Sequence, residues 1–429
     1  MKSQALFALV DINNFYVSCE RAFAPRLEKQ AMVVLSNNDG CAVARSAEVK
    51  SLGIKTGAPW HQFKDLAKKH HIEAYSSNYT LYGDMSNRVV SILQEFSPNI
   101  EVYSIDESFL RIESVAHLHG GPQAMAQTMK TRLKEWVGLP SCVGIGSSKT
   151  LAKFANHLAK KIPSFNGVCD LSQMSTEECL QWMSEMEVQE VWGIGSRLAK
   201  KLHLLNIHTV LDLRRASPKD MRQQFGVVIE RTCQELRGIS CLQLTEISPP
   251  QQQIMASRSF GKPILKLSDL GEAVANHTAR ASEKLRSQSS LAGAVHVFIH
   301  TNPFNQTDLQ YQQSITISLD EPSDDLLILT NAAMKALKLI YKDGYKYKKA
   351  GVMLTFLSGK ATRQQSLFED NEIKGQSTQL MSVLDSINQQ FGRNTLRSAA
   401  TGTKKTWAMR SNNRSPNYTT QWDELPIAS

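Results

Sequence analysis

Three carboxylates stand in this chain where packing calls for hydrocarbon. The run Phe7-Ala8-Leu9-Val10-Asp11-Ile12 carries Asp11 near its end, and Val102-Tyr103-Ser104-Ile105-Asp106-Glu107-Ser108-Phe109-Leu110 carries Asp106 and Glu107. Both runs read as short buried strands. A buried carboxylate is costly unless it is paired or bound to a cation, and converging carboxylates repel one another. If the two strands lie side by side, Asp11, Asp106 and Glu107 bring hard oxygen donors to one edge. Mg²⁺ requires such donors, together with open positions for substrate phosphates. Taken singly, the same residues also suit a plainer role, with Asp11 as a strand-end turn residue and Asp106-Glu107 as a bulge or an ion pair to a lysine.

The elements that must position them can be read in outline. Residues 14–21 suit a helix, residues 32–35 a second strand, and Ser36-Asn37-Asn38-Asp39-Gly40 a turn. Residues 41–52 look helical at their end, before a loop at 53–59. Arg45 and Lys50 stand there among Ala and Ser, with room to reach an anion close to the backbone; two solvated surface charges fit as well. Helical patterns at 82–96 and 123–136 flank the Asp106 strand. Cys142-Val143-Gly144-Ile145-Gly146 reads as a buried strand with a close backbone approach. It feeds a helix over 147–160 with an N-cap serine, an apolar stripe of Leu151, Phe154, Ala155 and Leu158, and Lys149, Lys153 and Lys160 on other faces. Residues 1–170 therefore predict an α+β domain with an insertion between the carboxylate strands. The Gly-x-Gly at 144–146 matches neither the Rossmann nor the P-loop spacing.

From 172 to 238 the pattern is helical. Trp192-Gly193-Ile194-Gly195-Ser196 has the form of a helix-hairpin-helix, in which Gly193 and Gly195 let backbone amides approach a phosphate; a plain helix-helix turn is the alternative. Pro249-Pro250 and three glutamines mark a linker. Residues 254–357 form a second α+β module, with strands at 294–300, 314–319 and 349–357 and helices at 267–288 and 324–341. Residues 341–349 interleave tyrosines with cations, among them Lys346 and Lys348, which suits either a grip on a phosphate backbone or an ordinary charged hairpin. Gln364-Gln365-Ser366-Leu367-Phe368 is a short sticky motif in polar surroundings. Residues 380–391 suit one helix, and 401–429 an extended tail that orders on a partner.

Composition sets the class. A chain of 429 residues predicts two to four domains, and 49 Lys+Arg against 40 Asp+Glu favour a polyanionic partner such as nucleic acid. Seven scattered cysteines without a CxxC pair read as reduced thiols of a cytosolic protein and argue against zinc. The strand-like start shows no leader pattern, and no stretch approaches a membrane span, so a soluble intracellular, cytoplasmic protein is expected.

The motifs 11–16 and 103–107, followed by the Lys153 to Lys160 helix and the Gly193-Ile194-Gly195 hairpin, resemble the Y-family translesion DNA polymerases in identity, order and spacing. Asn37 to Cys41, residues 345–353 and the long tail look most like the UmuC-type branch, the catalytic subunits of bacterial DNA polymerase V. The resemblance implies a multidomain right hand in the α+β class. Its parts are a palm (1–17 and 83–170), fingers (18–82), a helical thumb with the helix-hairpin-helix (171–240), a linker (241–253), an α+β little finger (254–357) and an extended C-terminal tail (358–429). It implies error-prone translesion synthesis in the bacterial SOS response by two-metal nucleotidyl transfer. Asp11 and Asp106 would bind both Mg²⁺ ions, with Glu107 at the primer terminus and the Ile12 carbonyl completing the site. Phe15, Arg45, Lys50 and Lys160 match dNTP-binding positions, and Tyr16 matches the steric gate against ribose. Other branches carry a tyrosine where this chain has Ala47, a gap that Arg45 is placed to fill. Gly193, Gly195, Lys346 and Lys348 would contact primer-template DNA. Gln364, Leu367 and Phe368 resemble the sliding-clamp pentapeptide, and the tail resembles the region engaging a processed UmuD-type dimer, with activation by RecA.

Two other classes use some of the same parts. A catalytically silent DNA-binding scaffold would not need intact Asp11, Asp106 and Glu107. A metal-dependent nuclease or hairpin-type glycosylase would not need Phe15-Tyr16 beside Asp11 with cations suited to a triphosphate.

Overall fold

The computed structural model describes residues 5–245, 249–362, 371–402 and 407–425. The chain divides into two compact units. The first comprises Met1–Ser36, Gly40–Ser248 and Asn413–Ser429, and the second Asn37–Asp39 and Pro249–Asn412.

In the first unit the strands are β1 (Phe7–Ile12), β2 (Met32–Leu35), β3 (Ala42–Arg45), β4 (Glu73–Ser76), β5 (Ile100–Val102), β6 (Glu107–Arg111), β7 (Ser141–Gly146) and β8 (Val168–Asp170). Five of them form one sheet in the order β5-β6-β1-β7-β8, with β1 central and antiparallel to both neighbours. Side chains alternate across the sheet, so the two faces of β1 differ. Ala8, Val10 and Ile12 enter a core with Tyr82, Met85, Met129 and Leu133 from the helices Tyr79–Gln94 and Pro122–Val137. Phe7 and Leu9 face the other way, onto Phe109 and Ala152. Asp11 shares that second parity. It is therefore the last residue on the face covered by the helix Lys149–Lys161.

That helix lies close because β7 is glycine-rich. A Cβ on Gly144 would fall 2.1 Å from the Asn156 nitrogen, and one on Gly146 would fall 2.7 Å from the Ala152 nitrogen. The Asn156 amide then donates to the carbonyls of Leu9 and Cys142, stitching helix to sheet. Away from the sheet, Leu151, Phe154 and Leu158 pack among Met183, Leu202 and Leu236 of the following helical region. A buried carboxylate fixes this junction. Glu235 accepts from the Thr150 amide and hydroxyl at the helix N-terminus and from the amides of Cys241 and Leu242.

The residues 102–110 differ from the single strand expected. They form the end of β5, a tight turn and β6, with the Tyr103 and Ser104 amides both donating to the Glu107 carbonyl. Residues 41–52 hold a strand before their helix, since Ala42–Arg45 pairs with β2 in a separate sheet of order β3-β2-β4.

The second unit has β9 (Ile254–Ile264), β10 (Ser290–Thr301), β11 (Gln312–Ser323) and β12 (Tyr347–Gly359), an antiparallel sheet in the order β11-β10-β12-β9. The helices Leu267–Ser287 and Leu326–Ile340 cover one face. The expected strands are there, extended at their ends, the two expected helices are slightly shorter, and β9 is additional.

The tail is more ordered on its own chain than the sequence suggests. The helix Asn371–Gln390 starts well before residue 380. Trp407 is buried beside Phe260 and His277 in the second unit, whereas Trp422 is exposed. Residues 413–418 pack into the first unit: Asn413 and Ser76 are joined by two hydrogen bonds, and Tyr418 stacks on Phe23. Among the described residues, no helix is long and apolar enough to cross a membrane.

Candidate active site

Asp11 lies directly opposite Glu107 in the β1–β6 register, so both carboxylates emerge on the helix-covered face. Asp106 sits one residue earlier, on the turn, where its carbonyl accepts from the Ile12 amide at 2.9 Å. The Ser104 hydroxyl donates to the Asp106 carboxylate at 2.6 Å and accepts from the Glu107 amide at 3.0 Å. Ser104 thus orients the carboxylate and stabilises the turn. It stood within the sequence motif, but nothing in its residue type signalled that role.

The covering helix supplies a cation to each carboxylate of the facing pair. Lys160 Nζ lies 2.5 Å from Asp11 and Lys153 Nζ lies 3.0 Å from Glu107. Lys153 also lies over the Tyr103 and Trp192 rings. Asp11, Glu107, Lys153, Lys160 and Trp192 line one cleft. The plainer role considered for these carboxylates, an ion pair to a lysine, is realised at both. It does not satisfy Asp11: burial first, then the nearby Glu107 carboxylate, push its carboxyl up to about 7 against the pull of Lys160.

Among the described residues, no three His, Cys, Asp or Glu side chains converge as a ready-made metal cluster. Asp11, Asp106 and Glu107 come together instead as two lysine-paired carboxylates and a serine-held one. The donors still fit a hard divalent cation. All are carboxylate oxygens, and Lys160 alone does not offset the burial of Asp11 and its repulsion by Glu107.

Lys160 is also one of three cations near Asp11, with Lys50 and Arg45. Lys50 donates to the Asn14 side chain. Burial, then Arg45, then Lys160 push the Lys50 ammonium below its usual range, while Asp11 pulls it back. Lysine, arginine and lysine thus come close enough to oppose one another, a conflict that a bound polyanion relieves. The Arg45 guanidinium donates to the Ile54 carbonyl and, at 2.6 Å, to the Thr56 hydroxyl, so the loop at 53–57 aims it. Asn14, at φ 51°, turns the chain from β1 into the helix Phe15–Phe23.

Phe15 is buried, and Tyr16 is stacked on Tyr82 with ring centres 4.5 Å apart and planes 16° from parallel. The Tyr79 ring meets Tyr16 edge-on at 5.9 Å. Burial, Tyr79 and Asp106 all raise the Tyr16 phenol above its ordinary range, so the ring lies within electrostatic reach of the Asp106 carboxylate.

The expected DNA contacts are spread more widely. Gly193 has φ +85°, and at both Gly193 and Gly195 an added Cβ would meet nothing within 4 Å, so the hairpin backbone at the start of the helix Ser196–His203 is open. In the second unit Lys346 pairs with Asp308 at 2.8 Å, and Lys348 donates to the Phe260 carbonyl. The interleaved tyrosines differ in exposure, Tyr341 and Tyr345 being half-buried. Tyr347 is fully buried, ringed by Tyr311, Tyr341 and Tyr345. Gln364, Leu367 and Phe368 lie outside the described residues.

Comparison with known proteins agrees with this layout. Residues 10–157 match the model of the impB/mucB/samB family, 176–207 its helix-hairpin-helix motif and 251–367 its C-terminal domain. Residues 378–428 match a domain of unknown function, DUF4113. The chain is 42% identical to Protein UmuC of Salmonella typhimurium over 98% of its own length and 99% of the relative's. It is 41% identical to Protein MucB of Escherichia coli over 99% of this chain and 100% of that one. A solved Y-family DNA polymerase chimera shares the fold at a TM-score of 0.63 and 18% identity, over 82% of this chain and 99% of that one. On these matches the chain belongs to the impB/mucB/samB family, as a UmuC-type member of the Y-family DNA polymerases.

Proposed function

We propose that this chain is a template-directed DNA polymerase for error-prone translesion synthesis in the bacterial SOS response. The observation that carries the reading is the facing pair Asp11 and Glu107 next to the Asp106 turn, with Lys160 on Asp11 and with Lys50 in electrostatic reach of Asp11, Arg45 and Lys160. Acidic donors and a neighbouring cation cluster match the two needs of a dNTP reaction, a primer hydroxyl and a triphosphate. A nuclease site has no comparable need for the cations.

In this reading Asp11 and Asp106 hold two Mg²⁺ ions, with Glu107 and the Ile12 carbonyl completing the donors. When bound, the ions supply Lewis-acid activation of the primer 3′-hydroxyl and charge stabilisation of the triphosphate and leaving pyrophosphate. Lys160 and Lys153 act as stand-in countercharges that keep the carboxylates in place before substrate arrives. Lys160, together with Arg45 and Lys50, then turns to the triphosphate. Phe15 and Tyr16 form the wall beside the sugar, and the Tyr16 ring excludes a ribose 2′-hydroxyl. The hairpin amides at Gly193 and Gly195 hold the primer-template backbone, with Lys346 and Lys348 as further contacts. Residues 1–17 and 83–170 serve as palm, 18–82 as fingers, 171–240 as thumb and 254–357 as little finger.

The partners follow from the same family reading: a sliding clamp at Gln364, Leu367 and Phe368, a processed UmuD-type dimer and RecA, in the cytoplasm at the nucleoid. If Leu367→Ala with Phe368→Ala leaves clamp-stimulated synthesis untouched, the clamp assignment fails. Primer extension across an abasic template with dNTPs, Mg²⁺, clamp and accessory proteins tests the whole. Extension supports a polymerase, and shortening of the primer or no change under full activation contradicts it.

A further inference from the structure

The ring behind Tyr16 is held by a chain of buried polar contacts that ends in the C-terminal segment. Tyr82 is fully buried and stacked on Tyr16. Its hydroxyl donates to Glu20 at 2.6 Å, and Glu20 is a carboxylate 1% exposed that forms no ion pair among the described residues. The same Glu20 oxygen accepts a second hydrogen bond, at 3.1 Å, from Ser415, a residue 395 positions away in sequence. A carboxylate this deep needs its donors, because burial penalises its charge. Burial raises the Glu20 carboxyl, and the Tyr82 and Ser415 hydroxyls lower it.

Ser415 is itself fixed. The Asn78 amide donates to the Ser415 carbonyl and hydroxyl and to the Pro416 carbonyl, each at 3.1 Å. The Asn78 side-chain oxygen caps the helix Tyr79–Gln94 by accepting from the Leu81 amide. That helix carries both Tyr79 and Tyr82, whose rings touch Tyr16. The segment therefore reaches the Tyr16 wall by two routes, through Glu20 to the Tyr82 hydroxyl and through Asn78 to the start of the helix.

We propose that Ser415 is a positioning residue for sugar discrimination, setting the Tyr16 ring through Glu20 and Tyr82, so that part of the domain of unknown function is built into the nucleotide site. The inference rests on the reading of Tyr16 as the gate against ribose. It assigns the C-terminal segment a role within the fold of the first unit, separate from any partner.

The test uses the full chain in its active assembly and reads the ratio of kcat/KM for a dNTP to that for the matching rNTP. Because both substrates are measured on one preparation, a partly misfolded fraction cancels from the ratio. Tyr82→Phe keeps the ring and loses the hydroxyl; Ser415→Ala keeps the backbone contacts and loses the other donor. Each is expected to lower the ratio by roughly two- to tenfold, the range set by one hydrogen bond. The double variant should lower it by less than the product of the two, since both act on Glu20. Trp422→Ala, at an exposed site of the same segment, should leave it unchanged. An unchanged ratio in Ser415→Ala, alongside a collapse in Tyr16→Ala, overturns the inference and leaves the gate standing. An unchanged ratio in Tyr16→Ala removes the gate itself.

Discussion

Asp11 and Glu107 face each other across adjacent antiparallel strands, and each is held by a lysine of one helix, Lys160 and Lys153, about two turns apart. Geometry produces this pairing. Gly144 and Gly146 let the helix backbone press onto β7, and from there the two lysines reach the carboxylates.

The first prediction concerns that contact. Gly144→Ala puts a methyl group 2.1 Å from a backbone nitrogen, and backbone cannot rotate away as a side chain can. A loss of about 3 kcal/mol or more is expected, at or beyond the upper end for overpacking. Chemical denaturation checks it, and a midpoint within error of the parent would show that the helix has room to shift.

A second prediction separates binding from chemistry. Lys160→Ala removes the cation shared by Asp11 and the cluster with Lys50. The KM for dNTP should rise by roughly tenfold, the loss of one charge-assisted contact, with a smaller change in kcat. A fall in kcat alone would place Lys160 outside the triphosphate site.

Ser104 offers a third. Its hydroxyl orients Asp106, so Ser104→Ala should lower kcat by roughly tenfold while DNA affinity stays near the parent value. Steady-state kinetics alongside a DNA-binding titration separates the two, and an unchanged kcat would make the serine a turn residue only.

The fourth concerns stability in acid. His277 is buried beside Trp407, and burial first, then Arg258 and Arg280, push its imidazole down to about 4. The folded state thus resists a proton that the unfolded state accepts below about 6.5. No effect is expected above that pH; stability falls as pH drops from about 6.5 towards 4 and then levels. The total is on the order of 3 kcal/mol. In His277→Gln that part of the acid limb should disappear from the unfolding profile. An identical pH profile in parent and variant would assign the acid limb to other groups.

Much of the site was legible in the sequence because buried strands tolerate few carboxylates, so Asp11, Asp106 and Glu107 stood out by type and setting alone. Gly144 and Gly146 also announced a close approach. Ser104, Glu235 and Glu20 did not stand out. Each earns its role from a partner brought in by tertiary contact: Ser104 from a turn hidden inside an apolar run, Glu235 from the Lys149–Lys161 helix start, and Glu20 from Ser415. The tyrosines at 341–347 show what a local pattern leaves open. Lysines beside aromatic rings suggest a nucleic-acid surface, but Tyr341 and Tyr347 find internal hydrogen-bond partners and pack with Tyr311 and Tyr345 into the second unit. Local pattern does not distinguish a tyrosine that stacks on a base from one that closes a core.

The central claim is that Asp11, Asp106 and Glu107 form the metal-binding centre of a DNA polymerase. Primer extension on an abasic template by the parent chain and by Asp106→Ala, each with Mg²⁺, dNTPs and the accessory proteins, tests it most directly. The account predicts extension past the lesion by the parent and none by the variant, with DNA affinity retained in both. Equal extension by the two chains, or none by either under full activation, would contradict it.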